Sequence, residues 1–295
     1  MAPLSKLTVP ELQQKKGKEK IVALTAYDVI WARLLDEAGL DLILVGDSLA
    51  MLVLGYENTL PVTLEEMLVF ARAVSRGVRR ALVVGDMPFL SYQVSREEAI
   101  RNAGRFLKEG GCDAVKVEGG EEVAETVAAL VRAGIPVLGH VGLTPQKATM
   151  LGGFRVQGKD LASAQKLLKD ARLIAEAGAF ALVLECVPAE LAQKITEEIN
   201  IPTIGIGAGP FCDGQILVLP DLLGLFEGFR PKFVKAYASL AQEGRRAIKA
   251  YLEEVKRGLF PGKEHSFTLS EEVKKALGLG KPERPANPLQ SKKPG

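Results

Sequence analysis

Short apolar runs recur along the chain and alternate with longer stretches of helical periodicity. The runs are IVALTAYD (21–28), LILVGDS (42–48), ALVVGDM (81–87), DAVKVEG (113–119), IPVLGHVG (135–142), AFALVLEC (179–186), IPTIGIGAG (201–209) and QILVLPD (215–221). They are rich in Val, Ile and Leu and do not alternate with polar residues, which suits strands covered on both faces, as in a parallel sheet. The segments between them carry helix signals. Thr63 precedes Glu66, and Ser95 precedes Glu98, at the spacing of a capping box, in which hydroxyl and carboxylate satisfy free amides reciprocally. Ala-Gly pairs at 38–39, 133–134 and 177–178 stand before strands, where a left-handed glycine can end a helix. The amphipathic segment 232–257 reads as the last helix. Eight runs interleaved with helices predict a single-domain α/β fold, a closed (β/α)8 TIM barrel, with an open doubly wound sheet as the competitor.

The ends of the chain break the rhythm. Residues 1–19 are expected to precede the barrel, 20–267 to form it, and 268–295 to be a C-terminal extension. From about 280 the sequence GKPERPANPLQSKKPG is rich in Pro and Lys and lacks apolar periodicity, so disorder is expected there. The 295 residues suit one such barrel. Net charge is +2, and residues 281–295 alone carry +3, so the body is close to neutral and has no electrostatic footprint for nucleic acid. No apolar run approaches the roughly 20 residues that cross a bilayer, and the N-terminus lacks the apolar region of a secretory signal. Cys112, Cys186 and Cys212 are odd in number and far apart, which argues against zinc or a disulfide framework and fits a cytoplasmic location.

Polar residues end the apolar runs: Asp47 and Ser48, Asp86, Lys116 and Glu118, His140, and Glu185. In a (β/α)8 barrel the C-terminal ends of the strands converge on one mouth, where active sites lie. Asp47, Asp86 and Glu118 would then offer three hard oxygen ligands, a set that favours Mg²⁺ or Mn²⁺ over Zn²⁺. Lys116, two residues from Glu118, can offset the surplus negative charge and hold a substrate carboxylate. Glu185, at the end of an apolar run, has the surroundings of a general base. Each residue also has a structural reading. Asp47 and Asp86 could cap helices, Lys116 could pair with Glu118, His140 could be a satisfied buried imidazole, and Glu185 could pair with a nearby Lys or Arg. Gly205-Ile-Gly207-Ala-Gly209 lacks the spacing of a dinucleotide loop and signals close backbone approach at most. Cys186 and His140 lack an orienting third group and do not make a nucleophile pair; Cys186 reads as a small buried residue.

The strings VGDSLAM (45–51), TLPVTLEEML (59–68), DMPFLSY (86–92), VKVEGG (115–120), GHVGLTPQ (139–146), LECVP (184–188), IGIGAG (204–209) and CDGQILV (212–218) resemble the ketopantoate hydroxymethyltransferase family, in order, from about residue 4 to residue 267. The resemblance implies a (β/α)8 barrel that assembles as a homo-oligomer, commonly a decamer. It implies one Mg²⁺ per subunit on Asp47, Asp86 and Glu118, the last directly or through water. Substrate contacts fall on Asp47, Ser48, Asp86, Lys116 and His140, and the proton acceptor on Glu185. The implied reaction transfers a one-carbon unit from 5,10-methylenetetrahydrofolate to 3-methyl-2-oxobutanoate through an enolate and yields 2-dehydropantoate for pantothenate and coenzyme A synthesis. Folate-binding residues are left unassigned. The chain departs from the family pattern at Met87, usually Leu, and lacks family histidines near Phe70 and Pro220. The rival readings are a metal-dependent 2-oxo acid lyase or mutase that needs no folate, and a non-catalytic barrel.

Overall fold

A computed structural model describes residues 5–147, 155–228 and 230–279. The tail expected to be disordered from about 280 lies outside these. The eight apolar runs become β1 (Ile21–Thr25), β2 (Leu42–Val45), β3 (Leu82–Asp86), β4 (Ala114–Glu118), β5 (Val137–Gly142), β6 (Ala181–Glu185), β7 (Thr203–Ile206) and β8 (Gly214–Leu217). They pair in parallel and in chain order, and β8 closes on β1. The open-sheet alternative is therefore excluded. The helices are α1 (Val9–Gln13), α2 (Val29–Glu37), α3 (Leu49–Leu52), α4 (Leu64–Ser75), α5 (Arg96–Lys108), α6 (Glu121–Arg132), α7 (Leu161–Glu176), α8 (Ala189–Glu198), α9 (Leu219–Leu222), α10 (Leu240–Lys256) and α11 (Glu271–Ala276).

Local signals act where the sequence placed them. Thr63 and Glu66 form a full capping box on α4, whereas Ser95 caps α5 without the return bond from Glu98. Gly39, Gly134 and Gly178 take φ of 90°, 82° and 96° after α2, α6 and α7. Two expectations are revised. The eighth run ends at Leu217, because Pro220 cannot donate to a ladder and instead opens the short α9. The segment 232–257 is not the last helix, since the short α11 follows it, and it is helical only from Leu240, as α10. The reason is tertiary: the Phe233 ring sits where a Cβ on Gly207 would be, 2.7 Å from that position, which holds this stretch to the barrel. The GIGAG glycines thus serve close packing, Gly207 under Phe233 and Gly209 against Ala189.

Strand pleating divides the core in two. Ile21, Ala23, Leu42, Leu44, Leu82, Val84, Ala114, Leu138, Ala181, Val183, Ile204 and Ile216 point inward and fill the lower barrel. The intervening strand residues point outward under the helices, where they pack with Met67, Leu68, Phe106, Leu130 and Ile174. The N-terminal segment is more than a prelude. Thr8 and Glu11 cap α1, whose Leu12 is fully buried against the inward-facing cluster and plugs the bottom of the barrel. Three lysines of the same segment fasten it: Lys6 to Asp113 (2.7 Å), Lys15 to Asp41 (2.9 Å) and Lys16 to Asp213 (3.0 Å). Each aspartate also accepts a strand amide, from Val83, Val22 and Thr203 respectively.

Chain contacts divide the molecule into two compact units, residues 1–236, which hold the barrel, and residues 237–295. In the second unit α10 has no buried residue, and Phe260 packs edge-on against Tyr251. No helix among the described residues is long and apolar enough to cross a membrane.

Candidate metal and active site

The same pleat that fills the lower barrel with aliphatic side chains aims polar ones into its upper end. Asp86 continues the inward row of Leu82 and Val84; Lys116 and Glu118 continue that of Ala114; His140 follows Leu138; Glu185 follows Val183. Register then makes neighbours of them. Asp86 pairs laterally with Lys116, and Glu118 with His140. Gly142 pairs with Glu185, which sets Glu185 one step beyond His140. Gly142 is needed there: at φ 99° its missing Cβ leaves room for the Glu185 carbonyl, 2.3 Å from where a Cβ would be, and that carbonyl accepts from the Leu143 amide.

A ring of charge results. The Lys116 ammonium lies 2.9 Å from Asp86 Oδ1, 2.8 Å from Glu118 Oε1 and 3.1 Å from His140 Nδ1. His140 bridges Glu118 Oε1 and Glu185 Oε2, each at 3.2 Å. The Asp47 amide donates to Asp86 Oδ2 at 3.0 Å. Ser48, half-buried at the start of α3, shares a 2.8 Å hydrogen bond with the Tyr27 hydroxyl. Asp47, Asp86, Lys116, Glu118 and His140 are all buried, while the Glu185 side chain keeps 16% exposure toward the mouth.

Burial and crowding set the proton affinities. Burial, then the charges of Asp86 and Glu118, push Asp47 well above the usual carboxylate range. Burial and Glu118 also push Asp86 up, against the pull of Lys116. Burial opposes ionisation of Glu118 too, but Lys116 and His140 outweigh it and hold that carboxyl at about 2. For His140, burial and Lys116 disfavour the cation, yet the Glu118 and Glu185 carboxylates raise it to about 9.

Asp47, Asp86 and Glu118 each offer an oxygen within 4.8 Å of the others, so the three could share one cation. Asp86 Oδ1 supports this fit. It is buried and lacks a hydrogen-bond partner, since the Lys116 contact satisfies distance but not direction. A hard divalent ion would relieve both that orphaned oxygen and the mutual repulsion of the carboxylates. Neither Asp47 nor Asp86 caps a helix through its side chain among the described residues; their oxygens face the cluster.

Sequence reasoning overlooked three residues here. Gln146, in a 3₁₀ turn at Pro145–Lys147, donates from Nε2 to Asp47 Oδ2 (3.1 Å) and from its amide to Glu118 Oε2 (3.3 Å). The Tyr92 hydroxyl, almost fully buried, lies within hydrogen-bond reach of Gln146 Oε1, the Glu118 carbonyl and the Glu118 amide. Tyr27 holds Ser48. Gln146 and Tyr92 sit inside the conspicuous strings GHVGLTPQ and DMPFLSY, but neither ends a strand, so no rule of position marked them. Cys186 is half-buried rather than buried, and takes a left-handed φ of 49° directly after Glu185. Burial and the Glu185 charge push its thiol up to about 12, which fits an inert cysteine rather than a nucleophile.

The family model described as ketopantoate hydroxymethyltransferase matches residues 6–263. The chain belongs to the ketopantoate hydroxymethyltransferase family. It is 62% identical over 253 residues to the 3-methyl-2-oxobutanoate hydroxymethyltransferase of Syntrophus aciditrophicus (86% of this chain, 93% of that one). It is 57% identical over 271 residues to the enzyme of the same name from Syntrophomonas wolfei (92% of this chain, 98% of that one). Among solved structures, a phosphonopyruvate hydrolase in complex with oxalate and Mg++ shares the fold at TM-score 0.58 and 14% identity, covering 92% of this chain and 95% of its own. A 2,3-dimethylmalate lyase does so at TM-score 0.55 and 18% identity, covering 92% of this chain and 90% of its own. Family membership thus rests on sequence, and these structures add the barrel alone.

Proposed function

We propose that this chain transfers a hydroxymethyl group from 5,10-methylenetetrahydrofolate, with water, to 3-methyl-2-oxobutanoate, giving 2-dehydropantoate and tetrahydrofolate, a step toward pantothenate and coenzyme A. The observation that carries the reading is the meeting, in one barrel mouth, of three buried carboxylates with a fourth, Glu185, whose Oε2 lies 3.2 Å from His140 Nε2. Asp47, Asp86 and Glu118 would hold one Mg²⁺, Glu118 directly or through water. The metal, once bound, draws electron density from the 2-oxo group and so acidifies the neighbouring C3–H bond. Lys116 and Ser48 hold the substrate carboxylate, which turns C3 toward the base. Glu185 accepts the C3 proton on its exposed side, with the His140 imidazole 3.2 Å away to balance its charge. A bond then forms from C3 to the folate-borne methylene carbon as one of its two C–N bonds breaks. Water replaces the second nitrogen and supplies the hydroxyl, and tetrahydrofolate leaves with its nitrogens protonated by the proton taken from C3 and the one released by water.

The folate-free lyase or mutase alternative draws on the shared barrel. Identities of 57–62% to hydroxymethyltransferases, against 13–18% to the lyases, mutases and hydrolases, favour one-carbon transfer. The α10 stripe of exposed Ile248, Tyr251, Leu252 and Val255 supports self-association, with a decamer as the assembly the family suggests. The unpaired cysteines support a reducing cytoplasm. The deciding experiment combines protein, Mg²⁺, 3-methyl-2-oxobutanoate and methylenetetrahydrofolate and omits each in turn. 2-Dehydropantoate should form only in the complete mixture; formation of a cleavage product without folate would overturn the reading.

A further inference from the structure

Gln146 reaches the acid cluster from outside the barrel strands, and the hydrogen bonds around it leave its amide one orientation. Its Nε2 lies 3.0 Å from the Met87 carbonyl and 3.1 Å from Asp47 Oδ2. A carbonyl oxygen only accepts, so the NH₂ group must occupy that side. Oε1 then faces the Tyr92 hydroxyl at 2.9 Å, whose one proton is shared between it and the Glu118 carbonyl at 3.0 Å. The residue's own backbone N–H points at Glu118 Oε2. One residue therefore presents donors to two of the three carboxylates, and the Lys116 ammonium lies between the third, Asp86, and Glu118.

The consequence falls on Asp47. Among the described residues, Gln146 is the hydrogen-bond donor to its side chain. With Oδ2 committed to that bond, the carboxylate is held beside Asp86 and Glu118, an oxygen of each lying within 4.8 Å of the others. Its remaining oxygen stays directed at the cluster. Tyr92 in turn keeps the amide from flipping, and a flip would set Oε1 against both the Met87 carbonyl and Asp47.

We infer that Gln146, oriented by Tyr92, is a positioning residue that holds Asp47 in the geometry needed to bind the divalent cation. The inference rests on the metal reading above. It also gives Gln146, at the end of the GHVGLTPQ segment, a role in assembling the site that its place in the barrel had not marked.

The test uses the full-length, metal-stripped protein and Mg²⁺ alone, by titration calorimetry, with thermal melting of the metal-free protein to report folding. Gln146→Met keeps the volume and removes the side-chain bonds to Asp47, Met87 and Tyr92. It should leave the metal-free melting temperature near wild type and weaken Mg²⁺ binding about 10- to 100-fold, the usual effect of losing an outer partner of a metal ligand. Tyr92→Phe should weaken it about fivefold, the worth of one ordinary hydrogen bond. Tyr92 also touches the Glu118 backbone, so the double variant tests the order of action. Binding no worse than Gln146→Met within about twofold supports action through Gln146, and a further loss of about fivefold overturns that part of the inference. Wild-type affinity in a folded Gln146→Met protein overturns the inference; if that variant does not fold, wild-type affinity in Tyr92→Phe does so. Asp86→Ala separates the two levels. If it binds Mg²⁺ as wild type does, the metal reading itself fails. If it loses Mg²⁺ while Gln146→Met keeps it, only the role of Gln146 falls.

Discussion

The two ends of the barrel are built from the same residue type and treat it in opposite ways. At the bottom, Asp41, Asp113 and Asp213 each take a strand amide and a lysine of the N-terminal segment, so the charge is met locally. At the top, Asp47, Asp86 and Glu118 are packed against one another around a single lysine, and Asp86 Oδ1 is left without a hydrogen bond. The bottom spends its carboxylates on closing the fold. The top stores repulsion that a bound cation would release, which is the ordinary mark of a site rather than a scaffold.

This contrast can be broken or sharpened at several points. The largest effect is expected at the top. Glu185→Gln should slow solvent exchange of the C3 proton of 3-methyl-2-oxobutanoate about 10²- to 10⁴-fold while leaving Mg²⁺ binding in place; undiminished exchange, followed by NMR in D₂O, removes Glu185 as the base. At the bottom, Leu12→Ala should cost about 2–5 kcal/mol in urea unfolding, the range for emptying a fully buried leucine site. Its C3 exchange rate below the melting transition should stay near wild type, and a selective loss of exchange would tie the plug to the site after all. Asp86→Ala should abolish the gain in stability from Mg²⁺, about 2.7 kcal/mol in wild type at a hundredfold excess over its dissociation constant. An undiminished shift in melting temperature would sink the cation reading.

Acidity provides a gentler probe. The folded-state pKa of His140, about 9, lies above its ordinary value of 6.5. Its contribution to stability is therefore fully present below pH 6.5 and lost as pH rises through 9. The raised Asp47 and Asp86 also lose stability as pH rises, beginning at their ordinary 3.8, so the window from pH 6.5 to 9 is read on His140. Glu118, held at about 2, loses its stabilising contribution only as pH falls below its ordinary 4.5. The metal-free protein should thus melt at lower temperature at pH 9 than at pH 6.5, and added Mg²⁺ should recover more at the higher pH. A flat or rising melting temperature over that window would contradict the charge balance described here. The smallest effect is expected for Lys6→Ala, whose partly exposed pair with Asp113 should contribute under about 1 kcal/mol.

Much of this architecture is legible in the residues because its signals are short-range. Valine-rich runs, the Thr63 and Ser95 caps and the Ala-Gly helix ends act within a few positions, and each does so in the folded chain. The candidate site is legible for the same reason wherever a polar residue ends a strand, since a two-residue pleat puts Lys116 with Glu118 and Asp86 with Val84 on the inner face. Gln146 and Tyr92 escaped notice because they come from loops, where no periodicity states which way a side chain turns. Phe233 shows the reverse case: helical periodicity ran through it, and packing against Gly207 overrode that pattern.

By itself, then, the order of residues determined the count and sequence of strands, the inward rows of side chains and the carboxylate-rich rim, because all of these follow from backbone period and hydrophobicity. Only the closed barrel decided that residues as far apart as Asp47 and Glu185 face one space, and that the leading segment is a plug. It likewise decided that a glutamine from a loop holds one of the acids. Those outcomes depend on register and on contacts between distant parts of the chain, which no local pattern encodes.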